Sequence, residues 1–144
     1  MNIFYGCNWN TNLCLIILHQ SITGLSDKSD ELMCSLISSK FTPHLICLSE
    51  HCTTLQNLWT ISLDDYYLSS NFSHINHFGA GVCIFTGEDL QYTICDVSQF
   101  CIEKNVRCCA IQLDVGNYYI IIIHVYRSPA GNFLNFFNQL DSTL

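Results

Sequence analysis

The chain has 144 residues, of which 49% are hydrophobic, which is enough for one domain with a buried core. Its formal net charge is −7, and charged residues make up only 12% of the chain. Because nucleic-acid binders gain much of their affinity from basic surfaces, this balance disfavours autonomous DNA binding. The permanent cations are Lys28, Lys40, Lys104, Arg107 and Arg127.

The ten cysteines do not follow the spacing of a disulfide framework or a zinc site. No Cys-x-x-Cys occurs, and the adjacent pair Cys108–Cys109 would point to opposite faces of a strand. His74 and His77 are three residues apart but have no cysteine at a matching distance. The pattern therefore predicts buried free thiols, which pack as small hydrophobic side chains.

No targeting or membrane signal is visible in the sequence. The chain does not open with a charged and then apolar leader, and no apolar stretch reaches the roughly 18 residues of a membrane span. We therefore expect an intracellular protein, nuclear or cytoplasmic, that is not secreted and does not contact a membrane.

The sequence pattern of the first part of the chain predicts a strand–helix–strand unit. Residues 1–12 have no clean period and are expected to form a loose lead-in to a domain over 13–144. Leu13–His19 is rich in strand formers, Asp30–Ser39 has apolar residues at helical spacing, and Leu45–Ser49 is again strand-like. A helix between two strands favours parallel, adjacent strands.

The rest of the chain is predicted to be mostly β. Segments 86–89 and 114–117 have the composition of hairpin turns, and the stretch Gly79–Gly81 is expected to form a tight turn with positive-φ positions. Asn132 is expected to cap a closing helix over 133–140. The strand candidates are Tyr66–Phe72, Gly81–Phe85, Tyr92–Val97, Cys108–Leu113 and Tyr118–Tyr126.

Glu50 is the most informative single residue. It ends the apolar run that begins at Leu45, and a carboxylate at the rim of a sheet suits a divalent cation with oxygen ligands. Many buried strands also end in a solvated glutamate, so the pattern alone is weak. Tyr126 alone suits the edge of a sheet, and a lone Arg127 before a turn suits solvent.

Five segments in this order and spacing carry a family resemblance: Leu18–Leu25, Pro43–His51, Gly79–Phe85, Cys101–Lys104 and Val125–Phe133. From about Leu13 to Leu144 the chain resembles the endonuclease/exonuclease/phosphatase superfamily, and most of all the endonuclease domains of non-LTR (LINE-type) retrotransposons. The resemblance implies an α/β fold of α+β-sandwich type, a partial four-layer arrangement with a mixed, largely antiparallel sheet and flanking helices. The family's later Asp-x-Asn and Asp-His motifs do not occur after Tyr126, which implies an N-terminal half.

The resemblance also implies the roles of individual residues. Glu50 corresponds to the ligand of Mg²⁺, and Tyr126 to the tyrosine that contacts the scissile phosphate of DNA. Ser21 stands where the family has asparagine, and Arg127 is a candidate phosphate fork. The implied activity is Mg²⁺-dependent DNA nicking, weak or absent without the later motifs. Two alternatives stay open: a non-catalytic interaction module that self-associates through an apolar sheet, and a decayed retroelement copy.

Overall fold

The computed structural model describes residues 2–8, 13–73, 80–102, 105–129, 131, 132, 134, 135, 137, 138 and 141. Over these residues the chain forms eight strands in two sheets and two helices, with one 3₁₀ turn at Ser98–Phe100. The expected mixture of helices and strands is therefore confirmed.

The larger sheet has five strands in the order β1-β2-β3-β5-β4. β2 and β3 are parallel neighbours, as the strand–helix–strand pattern predicted, and the other neighbours in this sheet are antiparallel. Helix α1 (Leu25–Ser39) connects β2 to β3, and the short helix α2 (Leu55–Leu58) follows β3. The strands are β1 Asn2–Asn8, β2 Leu13–Ser21, β3 Leu45–Ser49, β4 Tyr66–Phe72 and β5 Val82–Gly87.

The smaller sheet is an antiparallel meander of β6 (Tyr92–Cys95), β7 (Val106–Val115) and β8 (Tyr118–Arg127). The turn between β7 and β8 is the predicted hairpin, with Val115 paired to Tyr118 and Gly116 at a φ of 66°. Glycine is favoured at such a left-handed position because it has no Cβ to clash with the backbone.

Two apolar clusters hold three layers together. On one face of the five-stranded sheet, Leu25, Leu32 and Leu36 of α1 pack with residues such as Ile46 and Phe85. On the other face, Leu45, Cys47 and Ile84 pack against Cys109, Ile111 and Leu113 of β7. The larger sheet is thus covered by a helix on one side and by the smaller sheet on the other, which explains why every residue of β3 is buried.

Three local predictions were wrong. Asn2–Asn8, expected within a loose lead-in, is a strand paired antiparallel with β2. Residues 86–89 do not close a hairpin, because β5 and β6 belong to different sheets. In the predicted tight turn over 79–81, Gly79 lies outside the described residues and Gly81 does not have a positive φ; a Cβ at Gly81 would lie 2.0 Å from Nε2 of His51 and 2.7 Å from the carbonyl oxygen of Phe72.

Half of the predicted closing helix over 133–140 lies outside the described residues. The described positions 134, 135, 137, 138 and 141 are helical. Oδ1 of Asn132 accepts a hydrogen bond from the Asn135 backbone N–H at 3.0 Å, which confirms the expected cap. Within the described residues, no helix is long and apolar enough to cross a membrane.

Candidate functional site

The carboxylate of Glu50 lies where the two sheets meet, and two hydroxyl groups converge on it. Oγ of Ser21 donates a hydrogen bond to Oε2, and the phenol of Tyr126 donates to Oε1 at 2.5 Å. Tyr126 is 76 positions away from Glu50 in the sequence. Three of the four residues named by the family resemblance are therefore brought together.

Strand topology explains the convergence of Ser21 and Glu50. Because β2 and β3 are parallel, their carboxyl ends lie at the same edge of the sheet, with Ser21 paired to Ser49 in register. Glu50 follows directly after β3. Tyr126 lies near the end of β8 and reaches the same edge from the smaller sheet.

The hydrogen bonds favour a charged carboxylate and a neutral phenol. Donation by Ser21, and then by Tyr126, lowers the pKa of Glu50 because both bonds stabilise the anion. Burial, together with the hydrogen bond to Glu50 and its negative charge, raises the pKa of Tyr126 to about 12. At neutral pH the site thus presents one anionic acceptor held by two hydroxyl donors.

The loop that carries Glu50 is unusual in its backbone. Glu50 and Cys52 have φ values of 57° and 48°, in the left-handed region that L residues seldom occupy. Between them, His51 is fully buried, and its Nδ1 accepts a hydrogen bond from the Thr53 backbone N–H at 3.2 Å. The buried imidazole thus anchors the loop, and the missing Cβ of Gly81 provides its space.

A chain of polar side chains lies beneath the carboxylate. Oγ of Ser49 is 3.1 Å from Nε2 of His19 and 3.1 Å from Nε2 of His124. A hydroxyl has one proton, so Ser49 can donate to only one of the two rings. Burial lowers the pKa of His19, and burial followed by the neighbouring His19 lowers that of His124 to about 4, so both rings are neutral at pH 7.

Arg107 was not predicted as a site residue, yet it lies next to the site. It pairs in register with Tyr126, so both side chains lie on the same face of the smaller sheet. Only 8% of Arg107 is exposed, and its Nε has no hydrogen-bond partner among the described residues. A buried guanidinium whose Nε has no partner within the described part of the chain is costly, so this position is suited to an anionic ligand.

Arg127, which was predicted as a phosphate fork, contacts a different part of the molecule. Its Nη1 donates to the carbonyl oxygens of Ser128 and Gly131 at 3.4 and 3.3 Å. These bonds tie the side chain to the segment after β8. The prediction that Arg127 binds nucleic acid stays a prediction. Arg107, which pairs in register with Tyr126, is better placed than Arg127 to act beside the Glu50 carboxylate.

The residues around Glu50 fit a magnesium ion only in part. They supply one partly exposed carboxylate and two hydroxyls, and the described residues contain no group of three or more His, Cys, Asp or Glu able to hold a metal. Mg²⁺ often binds through one or two carboxylates and takes its remaining ligands from water and substrate phosphate. Glu50 suits that mode of binding, whereas a closed cage of protein ligands is not built here. His74 and His77 lie outside the described residues.

Compared with known proteins, the chain matches no protein-family model and no curated protein sequence.

Proposed function

We propose that this chain is part of a Mg²⁺-dependent endonuclease of the endonuclease/exonuclease/phosphatase type, related to those of LINE-type retrotransposons. The single observation that supports the proposal most is the meeting of Ser21, Glu50 and Tyr126 at one carboxylate. The resemblance had named these residues from separate segments, and composition alone gives no reason for them to meet.

In this proposal Glu50 contributes the negative charge that holds the ion. When bound, Mg²⁺ neutralises charge that develops on the phosphodiester during hydrolysis. Ser21 and Tyr126 hold the carboxylate in one orientation, so little reorganisation is needed when a ligand arrives. Because the phenol of Tyr126 keeps its proton at neutral pH, it is also a donor suited to a phosphate oxygen.

The positive charge of Arg107 adds to this arrangement. It lies across from Tyr126 in the paired strand and is shielded from water, which strengthens its attraction for an anion. The surface as a whole repels DNA at a net charge of −7. Binding would thus depend on a local cation and a metal ion rather than on a basic surface.

The proposed activity of the chain as it stands is weak or absent. After Tyr126 the sequence contains neither Asp-x-Asn nor Asp-His, the groups that orient and activate water in the family. Catalytic groups that act as a unit lose most of the rate when some are missing. We therefore expect no nicking of supercoiled plasmid above buffer with Mg²⁺ or Mn²⁺.

The decisive experiment restores the missing groups. The C-terminal portion of a LINE-type endonuclease would be joined to the chain, and Mg²⁺-dependent nicking of supercoiled plasmid would be measured. Activity is expected in the chimera and should fall at least about a hundredfold in Glu50→Gln, which keeps the shape but removes the charge. Glu31→Gln, an exposed change on α1, is the matched control and should leave nicking unchanged.

Two outcomes would contradict the proposal. Robust nicking by the unmodified chain that disappears in Glu50→Gln would contradict the expected inactivity of the chain as it stands, because other residues would then replace the missing acids. A folded chimera that is inactive, or that is equally active with and without the Glu50 carboxylate, would remove this site from the chemistry.

An interaction module is the second candidate function, and the smaller sheet supports it. Tyr119 and Ile121, which share the outer face of this sheet, are 62% and 50% exposed. Exposed apolar side chains on one sheet favour association with another surface. This candidate predicts concentration-dependent self-association and no dependence of that association on Glu50.

A further inference from the structure

Two sulfur atoms lie close together beside the smaller sheet. Sγ of Cys101, just after the 3₁₀ turn, is 3.4 Å from Sγ of Cys108 in β7. The Cys108 backbone N–H also donates to the Cys101 sulfur at 3.4 Å. Sequence spacing had predicted only free, buried thiols, and Cys101 is in fact partly exposed.

The backbone holds this pair in place. Ile102 and Val106 exchange two backbone hydrogen bonds, each 2.9 Å long, which hold the segment after Cys101 alongside the start of β7. This antiparallel bridge sets Cys101 opposite Arg107, one position before Cys108. Both sulfurs also lie near the carbonyl oxygen of Val97, at 3.9 Å from Cys101 and 3.6 Å from Cys108. The separation of the two sulfurs need only fall from 3.4 Å to the roughly 2.05 Å of a disulfide.

The two thiols differ in reactivity, as a redox pair requires. Hydrogen bonds from Cys108 stabilise the Cys101 thiolate, and with a smaller contribution from Arg107 they lower the pKa of Cys101 to about 7. The pKa of Cys108 is raised by that same hydrogen bond and by burial. Cys101, being partly exposed, is suited to attack, and Cys108 is suited to resolve the product.

We propose that Cys101 and Cys108 form a peroxide-sensitive dithiol that closes reversibly to a disulfide. The Cys101 thiolate attacks one oxygen of a hydroperoxide; the O–O bond breaks, hydroxide or alkoxide leaves, and sulfenic acid forms. The Cys108 thiol then gives up its proton and attacks the Cys101 sulfur; the S–O bond breaks, water leaves, and the S–S bond forms. The peroxide is reduced by two electrons, and the two thiols are oxidised by two.

The ring that this disulfide closes contains Arg107. Oxidation would fix the segment that carries the buried cation beside Tyr126, so the redox state and the proposed site share one piece of backbone. The inference about the dithiol does not depend on nuclease activity, because it rests on the distance between the two sulfurs and on their difference in exposure and reactivity.

The test uses the unmodified, folded chain. After a small molar excess of hydrogen peroxide, remaining thiols are blocked with iodoacetamide, and the protein is digested with trypsin and chymotrypsin. Cleavage after Phe100, Lys104, Arg107 and Tyr118 places the two cysteines in separate peptides, 101–104 and 108–118. We expect a linked pair, lighter than the sum by two hydrogen atoms, that dithiothreitol separates. Free Cys101 should disappear at least about tenfold faster than free Cys34, which is exposed on α1.

The variants distinguish a true pair from general oxidation. Cys108→Ser should abolish the linked peptide, whereas Cys95→Ser, at a similarly part-exposed cysteine on β6, should retain it. Fragmentation of the linked peptide from the unmodified chain locates the bond at Cys108 or Cys109 even if a variant fails to fold. Irreversible oxidation of Cys101 without a link, a link to Cys109, or equal reaction at Cys34 would overturn the proposal.

Discussion

The two sheets differ in how completely they are covered. The central strands β3 and β5 of the larger sheet are buried almost throughout, between α1 and the smaller sheet. In the smaller sheet β7 is mostly buried, while β8 exposes Tyr118, Tyr119 and Ile121. The Glu50 site takes residues from both sheets, so its geometry depends on the contact between a fully covered sheet and a half-covered one.

Acidification should give the largest loss of stability, because buried histidines lie near the contact between the two sheets. His51 and His124 are buried, and burial lowers the pKa of each to about 4. Above the unfolded-state pKa of about 6.5 neither state binds the proton, so stability is constant. Below it, only the unfolded chain is protonated, and each ring should lower the free energy of unfolding by about 1.4 kcal/mol per pH unit until about pH 4.

Urea unfolding at pH values from 7.5 to 4.5 would measure this loss. His124→Asn should reduce the slope by the contribution of one ring, because His51 and His19, whose pKa values burial also lowers, still contribute. Stability that is unchanged between pH 7 and pH 5 would show that neither ring is held neutral.

Core truncation compares the two sheets directly. Ile46 on β3 is fully buried, so Ile46→Ala should lower the free energy of unfolding by about 2–5 kcal/mol. Ile121 on β8 is half exposed, and Ile121→Ala should cost less than about 1 kcal/mol. Equal costs in urea unfolding would mean that the outer face of the smaller sheet is covered by something else.

The next largest effect concerns the junction of the sheets. In the chimeric endonuclease, Ser21→Asn should raise the rate of nicking by roughly ten- to a hundredfold, the scale of an orienting partner at a metal site. An asparagine side chain offers both a donor and an acceptor, whereas serine offers a single short hydroxyl. Equal rates with serine and asparagine would show that Ser21 does not occupy the family's asparagine position.

The smallest expected effect is on association through the exposed side of the smaller sheet. Tyr119→Lys places a charge in the apolar surface, and it should weaken self-association about tenfold in sedimentation experiments. Asn117→Lys, in the exposed turn after β7, is the matched control for the added charge. A chain that is monomeric at high concentration without any substitution would show that this surface does not mediate self-association.

Local pattern was sufficient to predict most strands and the parallel β2–β3 pair. It failed where the structure of a segment depends on the strand with which it pairs. Asn2–Asn8 contains Gly6 and two asparagines, residues that disfavour strands, and it is a strand because β2 offers an edge. Residues 86–89 have turn chemistry, but turn chemistry does not reveal that the next strand joins another sheet.

The candidate site was predicted in part. Ser21, Glu50 and Tyr126 came from the family resemblance, and no local pattern could place Tyr126 beside Glu50 across 76 positions. Arg107 left a usable signal, because it is a cation within the apolar first half of β7, where the residues on both sides are hydrophobic. The hydrogen-bonded group of His19, Ser49 and His124 is visible in the sequence only as two histidines within apolar strands. Their hydrogen-bond partners depend on how the two sheets pack, which the sequence does not reveal.

The left-handed backbone at Glu50 has a consequence for protein engineering. An L residue at this φ costs about 1–2 kcal/mol that glycine does not. Glycine at this position would remove that cost, but it would also leave the hydroxyls of Ser21 and Tyr126 without their shared acceptor, so selection for thermal tolerance alone acts on both effects. Directed evolution of this scaffold therefore has to select for activity and thermal stability together if the carboxylate at position 50 is to be kept.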